Sequence, residues 1–318
     1  MVRTSGGTAA GRRGRRAGQL PGARRPGGKR RRGTRRPRTD RLLRRLVHRQ
    51  LRHPPYNQEG DRTLCFQAKE NYPAVATRRL ADKGIKLNVQ SDVSCEGALI
   101  HHFWEEQELL PGSSLKVPPQ QDALKADTRL VVGSMGGNTL GFTRILKQCS
   151  DKLRGPEHAL LPGEPVNGDQ PAAKCREFFE SGDGKQWLDQ QFEQVGWDLE
   201  ELLDRIHYFA PDSKRVLVGY PRLVPAGTTK CLTPAPGQTQ LPLADIPQNA
   251  LPVLDQIQKR LDDTMKKAAA DAEGGADFVD LYTHTGSNTA CDGANRGIGG
   301  LLENSQIGGH APLVRAPQ

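Results

Sequence analysis

The stretch Arg129-Leu-Val-Val-Gly-Ser-Met-Gly-Gly-Asn138 decides the fold class of this chain. Its three consecutive apolar residues, without polar alternation, are typical of a buried parallel strand. A Gly-rich turn follows the strand, and the spacing of Phe142, Ile145 and Leu146 then predicts an amphipathic helix. Parallel α/β sheets are built from units of strand, turn and helix such as this one.

The rest of the chain continues the alternation of helices and short strands. The apolar spacing predicts helices at Ala74 to Lys83, Ala172 to Phe209 and Ala250 to Ala272. It predicts further strands at Ile85 to Ser91, Arg215 to Tyr220 and Asp277 to Tyr282, and a loop at Asp151 to Gln170. We therefore predict a three-layer α/β/α sandwich with a parallel sheet, whose site lies at the carboxyl ends of the strands.

Charge divides the chain into two unlike segments. Of the 46 Lys and Arg residues, 19 precede His53, where Asp40 is the only acidic residue; the remainder has 27 basic and 35 acidic residues, a net charge of −8. Residues 1–52 are mostly Arg, Gly and Pro, so we expect them to be disordered. Residues 53–318 have the length and composition of one folded domain.

Six cysteines lie in the acidic segment and form no pattern of zinc ligands; they are Cys65, Cys95, Cys149, Cys175, Cys231 and Cys291. An even number spread over a folded region predicts disulfide bonds and an oxidising compartment. The alternative is a cytosolic enzyme with buried free thiols. The chain has no run of 18 apolar residues that predicts a membrane span, and its first 40 residues contain no apolar core of a signal peptide.

Three segments together resemble the SGNH (GDSL-type) hydrolase family, in its secreted, three-disulfide esterase and lipase branch. These are Asn71-Tyr-Pro with Asp92-Val-Ser-Cys-Glu-Gly-Ala98, then Gly136-Gly-Asn138, then the strands near Val216 and Phe278 with Ala290-Cys-Asp-Gly. The resemblance covers about three quarters of the chain and implies the flavodoxin-like fold of that family. It implies hydrolysis of carboxylic esters by a serine and a histidine, with the Gly97 N–H and the Asn138 side chain as oxyanion donors.

The same two residues have structural explanations. Gly97 fits a tight turn, and Asn138 fits the cap of a helix that starts near Leu140. The family usually has Asp after the asparagine, where this chain has Thr139, so weaker hydrogen bonding is expected in that turn.

The resemblance further implies disulfide pairing in sequence order, which is Cys65 with Cys95, Cys149 with Cys175 and Cys231 with Cys291. It implies a secreted monomer that acts on a lipid or acylated carbohydrate ester. No cofactor or metal is expected. Specificity is expected to lie in loops such as Asp151 to Gln170 and Cys231 to Gln248.

The family's nucleophile lies in a Gly-Asp-Ser block after the first strand, and no such block occurs in this chain. Ser134 lacks the glycine two residues earlier that a nucleophile elbow requires, and Ser94 precedes a cysteine. The His-Pro-Asn block that carries the base is absent as well, and His310 is a weak substitute in a Gly-rich tail. We therefore expect a domain without its first strand, truncated at its C-terminus, with little or no esterase activity.

Codon degeneracy suggests an origin for both absences. Arg44 to His48 can be encoded as CGG CGA CTC GTA CAC, and loss of the first base gives Gly-Asp-Ser-Tyr. Leu313 to Gln318 can be CTG GTA CGC GCA CCC CAA, and the same shift gives Trp-Tyr-Ala-His-Pro. A shifted reading frame is therefore one hypothesis for the Arg-rich head, which would then be a frame artefact.

Other interpretations remain open at this point. The basic head fits a nucleic-acid-binding arm, although it lacks interleaved aromatic residues. A non-catalytic binding module that kept the fold is another alternative. His101 and His102 suggest a metal site, but a polar surface helix is the better prediction. Trp104, Trp187 and Trp197 are expected in core or rim packing, and Asp280 as a cap or loop contact.

Overall fold

The computed structural model describes residues 65–109, 114–155 and 163–302 of the chain. The helices are α1 (Tyr72–Asp82), α2 (Gly137–Leu140), α3 (Phe142–Gln148), α4 (Asp151–Arg154), α5 (Cys175–Glu180), α6 (Asp183–Phe209), α7 (Leu251–Asp271) and α8 (Leu281–His284). The strands are β1 (Gln107–Glu108), β2 (Lys116–Val117), β3 (Leu130–Gly133), β4 (Lys214–Val218) and β5 (Asp277–Val279). The predictions for residues 1–52 and for His310 lie outside the described residues.

The main sheet is parallel, with strand order β3-β4-β5. Val132 pairs with Val216, and Leu217 pairs with Phe278. A separate antiparallel pair joins β1 and β2. The prediction of an α/β fold with a parallel sheet is confirmed.

The two long helices provide the largest share of the hydrophobic core. One face of α6 buries Leu199, Leu202, Leu203 and Ile206, as the helical spacing predicts. Helix α7 packs against α6 and against β5. Burial of each such aliphatic side chain stabilises the fold by roughly 1.5–3 kcal/mol, so this helix pair fixes the layer beside the sheet.

The predicted strand at Ile85–Ser91 is not formed. These residues follow α1, whose end is closed by the N–H of Gly84 on Ala81 O (2.9 Å) with Gly84 at φ +82°. The segment pairs with no strand among the described residues, and its side chains are exposed. Alternation of apolar and polar residues was therefore not enough to predict a strand here, because a strand also requires a neighbouring strand to pair with.

Other boundaries differ from the sequence prediction for local reasons. The helix expected through Phe142 is two helices, because Gly141 adopts a left-handed conformation (φ +75°) between α2 and α3. The expected strand at Asp277–Tyr282 ends at Val279, where Asp280 begins α8 by accepting the Thr283 N–H (2.7 Å). The loop predicted from Asp151 begins with helix α4.

Strand β3 is less buried than its sequence predicts. Leu130 is 39% exposed and Val132 is 44% exposed, although central parallel strands are buried on both faces. β3 pairs with β4 on one side, and no described segment pairs with its other edge.

Three disulfide bonds join Cys65 to Cys95, Cys149 to Cys175 and Cys231 to Cys291. These are the pairs that the family resemblance implies. In the described part of the chain no helix has the length and apolar character needed to cross a membrane.

Candidate active site

The loop that carries Gly97 is fixed from both ends. Asn71 caps α1 by accepting the Ala74 N–H (3.0 Å), and its amide donates to Asp92 Oδ2 (2.9 Å). The Gln67 amide donates to the carbonyl oxygens of Asp92 (3.0 Å) and Ser94 (2.7 Å). Together with the Cys65–Cys95 disulfide, these contacts tie the loop to the start of α1.

Gly97 itself lies at φ +74°, in the left-handed region that favours glycine. The preceding carbonyl, that of Glu96, accepts a hydrogen bond from the Gln107 amide (2.8 Å). The Gly97 N–H has no acceptor among the described residues. Since most backbone N–H groups in folded proteins are paired, this free donor is available to a ligand.

The Gly136-Gly-Asn138 turn leaves the carboxyl end of β3. Gly136 has φ +124°, and the N–H of Gly137 donates to the hydroxyl of Tyr220 (3.1 Å), just beyond the end of β4. Burial raises the pKa of Tyr220, so its hydroxyl stays protonated and can also donate. An added Cβ on Gly137 would lie 3.2 Å from the Tyr220 hydroxyl, so glycine permits this close contact.

The Asn138 side chain reaches the loop that carries Gly97. Its Nδ2 donates to Ala98 O at 3.1 Å, which uses one of the two hydrogens of the amide. Asn138 lies inside α2 rather than at its cap, because Gly136 precedes the helix as its N-cap residue. The capping explanation for Asn138 is therefore wrong.

The residue after it makes a second link between the same segments. The hydroxyl of Thr139 accepts the N–H of Ile100 (2.9 Å). The expectation of weaker hydrogen bonding from Thr in place of Asp stays a prediction. Two adjacent residues of the turn thus hold the Gly97 loop against β3.

Gly97 and Asn138 line one cavity of about 620 Å³. Apolar and polar side chains complete its wall, among them Leu99, His101, Trp104, Glu105, Phe142, Arg144, Gln191, Gln194 and Asp198. The cavity lies beside the turn that follows β3, at the edge of the sheet where the strand order predicts a site.

The remaining predicted residues are placed as follows. Ser94 donates to Asp92 Oδ1 (2.7 Å), and Ser134 hydrogen-bonds to Tyr220.

His101 and His102 form part of a 3₁₀ turn, Ile100–Phe103, rather than a polar surface helix. His102 Nδ1 accepts the Leu99 N–H (3.0 Å), and burial lowers its pKa. The part of the chain that the structure describes contains no cluster of three metal-ligating side chains.

Two tryptophans follow the packing prediction and one does not. Trp104 and Trp187 pack against the core, and each carries an arginine on its ring, at 5.0 Å for Arg205 and 5.2 Å for Arg144. Trp197 is 65% exposed, so the prediction of core or rim packing is wrong for it.

Sequence reasoning missed two long-range contacts that hold these segments together, those of Tyr220 with Gly137 and of Thr139 with Ile100. Tyr220 lies 83 positions from Gly137, and Thr139 lies 39 positions from Ile100. The tyrosine's position at the end of a predicted strand was the available signal, because strand ends meet at one edge of a parallel sheet.

Comparison with known proteins agrees with this architecture. Over 254 residues the chain is 78% identical to an esterase from Streptomyces scabiei, covering 80% of this chain and 72% of that protein. The crystal structure of phospholipase A1 from Streptomyces albidoflavus NA297 is similar with a TM-score of 0.50 and 18% identity, over 76% of this chain and 80% of that chain. No family sequence model matches the chain.

Identity of 78% over most of both proteins shows that the chain and the esterase are related, and the phospholipase adds the similarity of fold. The chain belongs to the SGNH-type esterase and lipase family.

Proposed function

We propose that the cavity is the ester-binding site of a carboxylic ester hydrolase, with the Gly97 N–H and the Asn138 amide as oxyanion donors. In such a site, serine attacks the ester carbonyl, histidine takes the proton, and water hydrolyses the acyl-enzyme. Negative charge develops on the carbonyl oxygen, and each aimed donor lowers the barrier by roughly 3 kcal/mol.

The observation that carries the proposal is the convergence of the two donors. The Asn138 amide bonds Ala98 O, one residue from Gly97, and both residues line the same cavity. The Gly97 N–H is unpaired among the described residues, and the Asn138 amide retains a second hydrogen. Two free donors from different segments beside one cavity suit a developing oxyanion.

We further propose that the 318 residues as written hydrolyse esters very slowly, because they contain no Gly-Asp-Ser block and no His-Pro-Asn block. The oxyanion donors alone lack a nucleophile and a base to act with. Codon sequence at Arg44–His48 and Leu313–Gln318 tests the frame-shift hypothesis. Codons that cannot yield the two blocks after a one-base shift contradict it.

Two measurements test the site. The purified chain should release p-nitrophenol from p-nitrophenyl acetate no faster than an equal mass of serum albumin, and rapid turnover contradicts the predicted inactivity.

Acetate, whose oxygens stand in for the oxyanion, should shift the Gly97 amide and the Asn138 side-chain amide in ¹H–¹⁵N spectra. Asn138→Ala should weaken acetate binding at least threefold, whereas the exposed control Asn249→Ala should not.

The result that overturns the oxyanion assignment is a spectrum in which acetate leaves both the Gly97 and Asn138 resonances unmoved. The alternative of a binding module shares the cavity but predicts no hydrolysis even after both blocks are restored. Secretion is proposed from the three disulfide bonds, since such bonds persist in oxidising compartments.

A further inference from the structure

We propose that Tyr220 is a positioning residue of the site, whose hydroxyl fixes the turn after β3 and thereby sets where the Asn138 amide lies in the cavity. The inference rests on the proposed function, because it assumes that Asn138 donates to the developing oxyanion. It adds a residue that contacts neither the cavity wall nor the substrate and acts through the turn.

The first observation is that one hydroxyl holds both ends of the turn. The Tyr220 hydroxyl accepts the N–H of Gly137 (3.1 Å), and the Ser134 side chain hydrogen-bonds to it as well. A phenolic oxygen has one hydrogen and two acceptor sites, so it can serve both partners. Since Ser134 and Gly137 lie three residues apart, their common partner fixes the distance across the turn.

The second observation is that Tyr220 is itself held firmly. The N–H of Gly219 donates to Val279 O (3.0 Å), and a Cβ added to Gly219 would lie 2.9 Å from Asp262 Oδ1. The backbone just before Tyr220 therefore passes close against β5 and α7. The tyrosine ring packs against the hydrophobic core and lies close to Gly137. The hydroxyl is thus carried by the sheet and core rather than by a separate loop.

The third observation is that Asn138 lies between two residues with long-range hydrogen bonds. Gly137 is bound by Tyr220, and the Thr139 hydroxyl accepts the Ile100 N–H. Gly137 is the first residue of α2, a helix of four residues. The first N–H groups of a helix have no acceptor within it, so Tyr220 supplies the one that Gly137 needs. Loss of this acceptor frees one side of Asn138.

Tyr220→Phe tests the inference on the full chain, because it keeps the ring and removes the hydroxyl. A net hydrogen bond corresponds to roughly a two- to tenfold change in an equilibrium constant. We expect acetate to bind at least about threefold more weakly, followed at the Gly97 amide by ¹H–¹⁵N titration. Without acetate, the Gly137 amide proton should shift upfield, since it loses its acceptor, and the Asn138 side-chain amide should shift with it.

Tyr282→Phe is the matched control, because it removes the hydroxyl of another buried tyrosine. That hydroxyl donates to Asp255 Oδ1 (2.9 Å), and Tyr282 is not part of the cavity wall. The control should unfold at a lower urea concentration and bind acetate with unchanged affinity. If Tyr220→Phe does not fold, Ser134→Ala removes the other partner of the hydroxyl. It should also shift the Asn138 side-chain amide and weaken acetate binding, and an unchanged spectrum and affinity would contradict the role of Tyr220.

The outcomes separate this inference from the function on which it rests. If acetate shifts neither Gly97 nor Asn138 in the unmodified chain, the proposed function fails first. If acetate shifts both there and binds Tyr220→Phe equally well, the donors are correct and the positioning role is wrong. If Tyr282→Phe weakens acetate binding as much as Tyr220→Phe does, the effect is one of general stability and the positioning role is again wrong.

Discussion

The carboxylate of Asp262 is buried in a position that offers it few hydrogen-bond partners. It lies on α7 and is 4% exposed, and its Oδ1 has no hydrogen-bond partner among the described residues. Burial, and then the nearby Asp280, raise its pKa to about 6. Lys259 and Lys266 act in the opposite direction and Asp263 in the same one, each more weakly than burial.

The raised pKa gives stability a defined dependence on pH. The folded protein holds this proton more tightly than the unfolded chain, whose Asp has a pKa near 3.8. The contribution of Asp262 to stability is therefore most favourable below about pH 4 and falls as the pH rises to about 6, above which its penalty is constant. A difference of this size corresponds to about 3 kcal/mol as an upper value.

We predict that Asp262→Asn stabilises the fold at pH 7.5 by about 1–3 kcal/mol, because it removes the buried charge. The gain should shrink to less than half at pH 4, where Asp262 itself is protonated. Urea unfolding of both proteins at the two pH values measures this. Asp263→Asn, an exposed neighbour paired with Lys259, is the matched control and should show no such gain. Equal gains at both pH values would contradict the assignment.

At the scale of elements, the site depends on a junction between the turn after β3 and the loop that carries Gly97. Thr139 accepts the Ile100 N–H, and Ile100 is fully buried. Loss of the acceptor leaves a buried donor unpaired, which costs about 1–3 kcal/mol. The junction thus contributes to stability and holds the Gly97 loop beside Asn138, the two proposed oxyanion donors.

We therefore predict that Thr139→Val lowers the free energy of unfolding by about 1–3 kcal/mol and weakens acetate binding at Gly97. The substitution keeps the shape of the side chain and removes the hydroxyl. Thr139→Ser, which keeps the hydroxyl, should retain the acetate-induced shift of the Gly97 amide. A valine variant with unchanged stability and unchanged binding would show that the junction is dispensable.

The contrast between α6 and Ile85–Ser91 shows which elements were predictable. The long helix follows from the spacing of its own apolar residues, so its prediction needed no knowledge of the rest of the fold. The exposed segment has the alternation of a strand, yet pairing depends on a neighbour distant in sequence. The same division applies to the candidate site. Motifs indicated Gly97 and Asn138, which line one cavity, whereas the contacts of Tyr220 with Gly137 and of Thr139 with Ile100 depend on residues distant in sequence.

At the scale of the whole molecule, β4 is the central strand of the sheet and β3 is one of its two outer strands. β4 pairs along both edges, whereas β3 pairs only with β4 among the described residues. The apolar side chains of Ile85, Leu87 and Val89 are exposed, and Thr128 donates to the Gln90 side chain (2.8 Å), so this segment reaches the start of β3. Exposed apolar residues beside an unpaired strand edge fit a sheet that lacks one strand.

Hydrogen exchange provides the test of this interpretation. In the chain as written, amides of β4 should be the most protected, those of β3 less so, and those of Ile85–Ser91 should exchange at nearly the rate of an unfolded peptide. The comparison is a variant in which the residues up to His48 are translated in the shifted frame and those from Cys65 onward are unchanged, which gains a Gly-Asp-Ser block where the codons permit it. If the residues before that block add a strand, protection of β3 and Ile85–Ser91 should rise at least tenfold while β4 changes little. Strong protection of Ile85–Ser91 in the unshifted chain would mean that the sheet is already complete, and the missing-strand hypothesis would have to be abandoned.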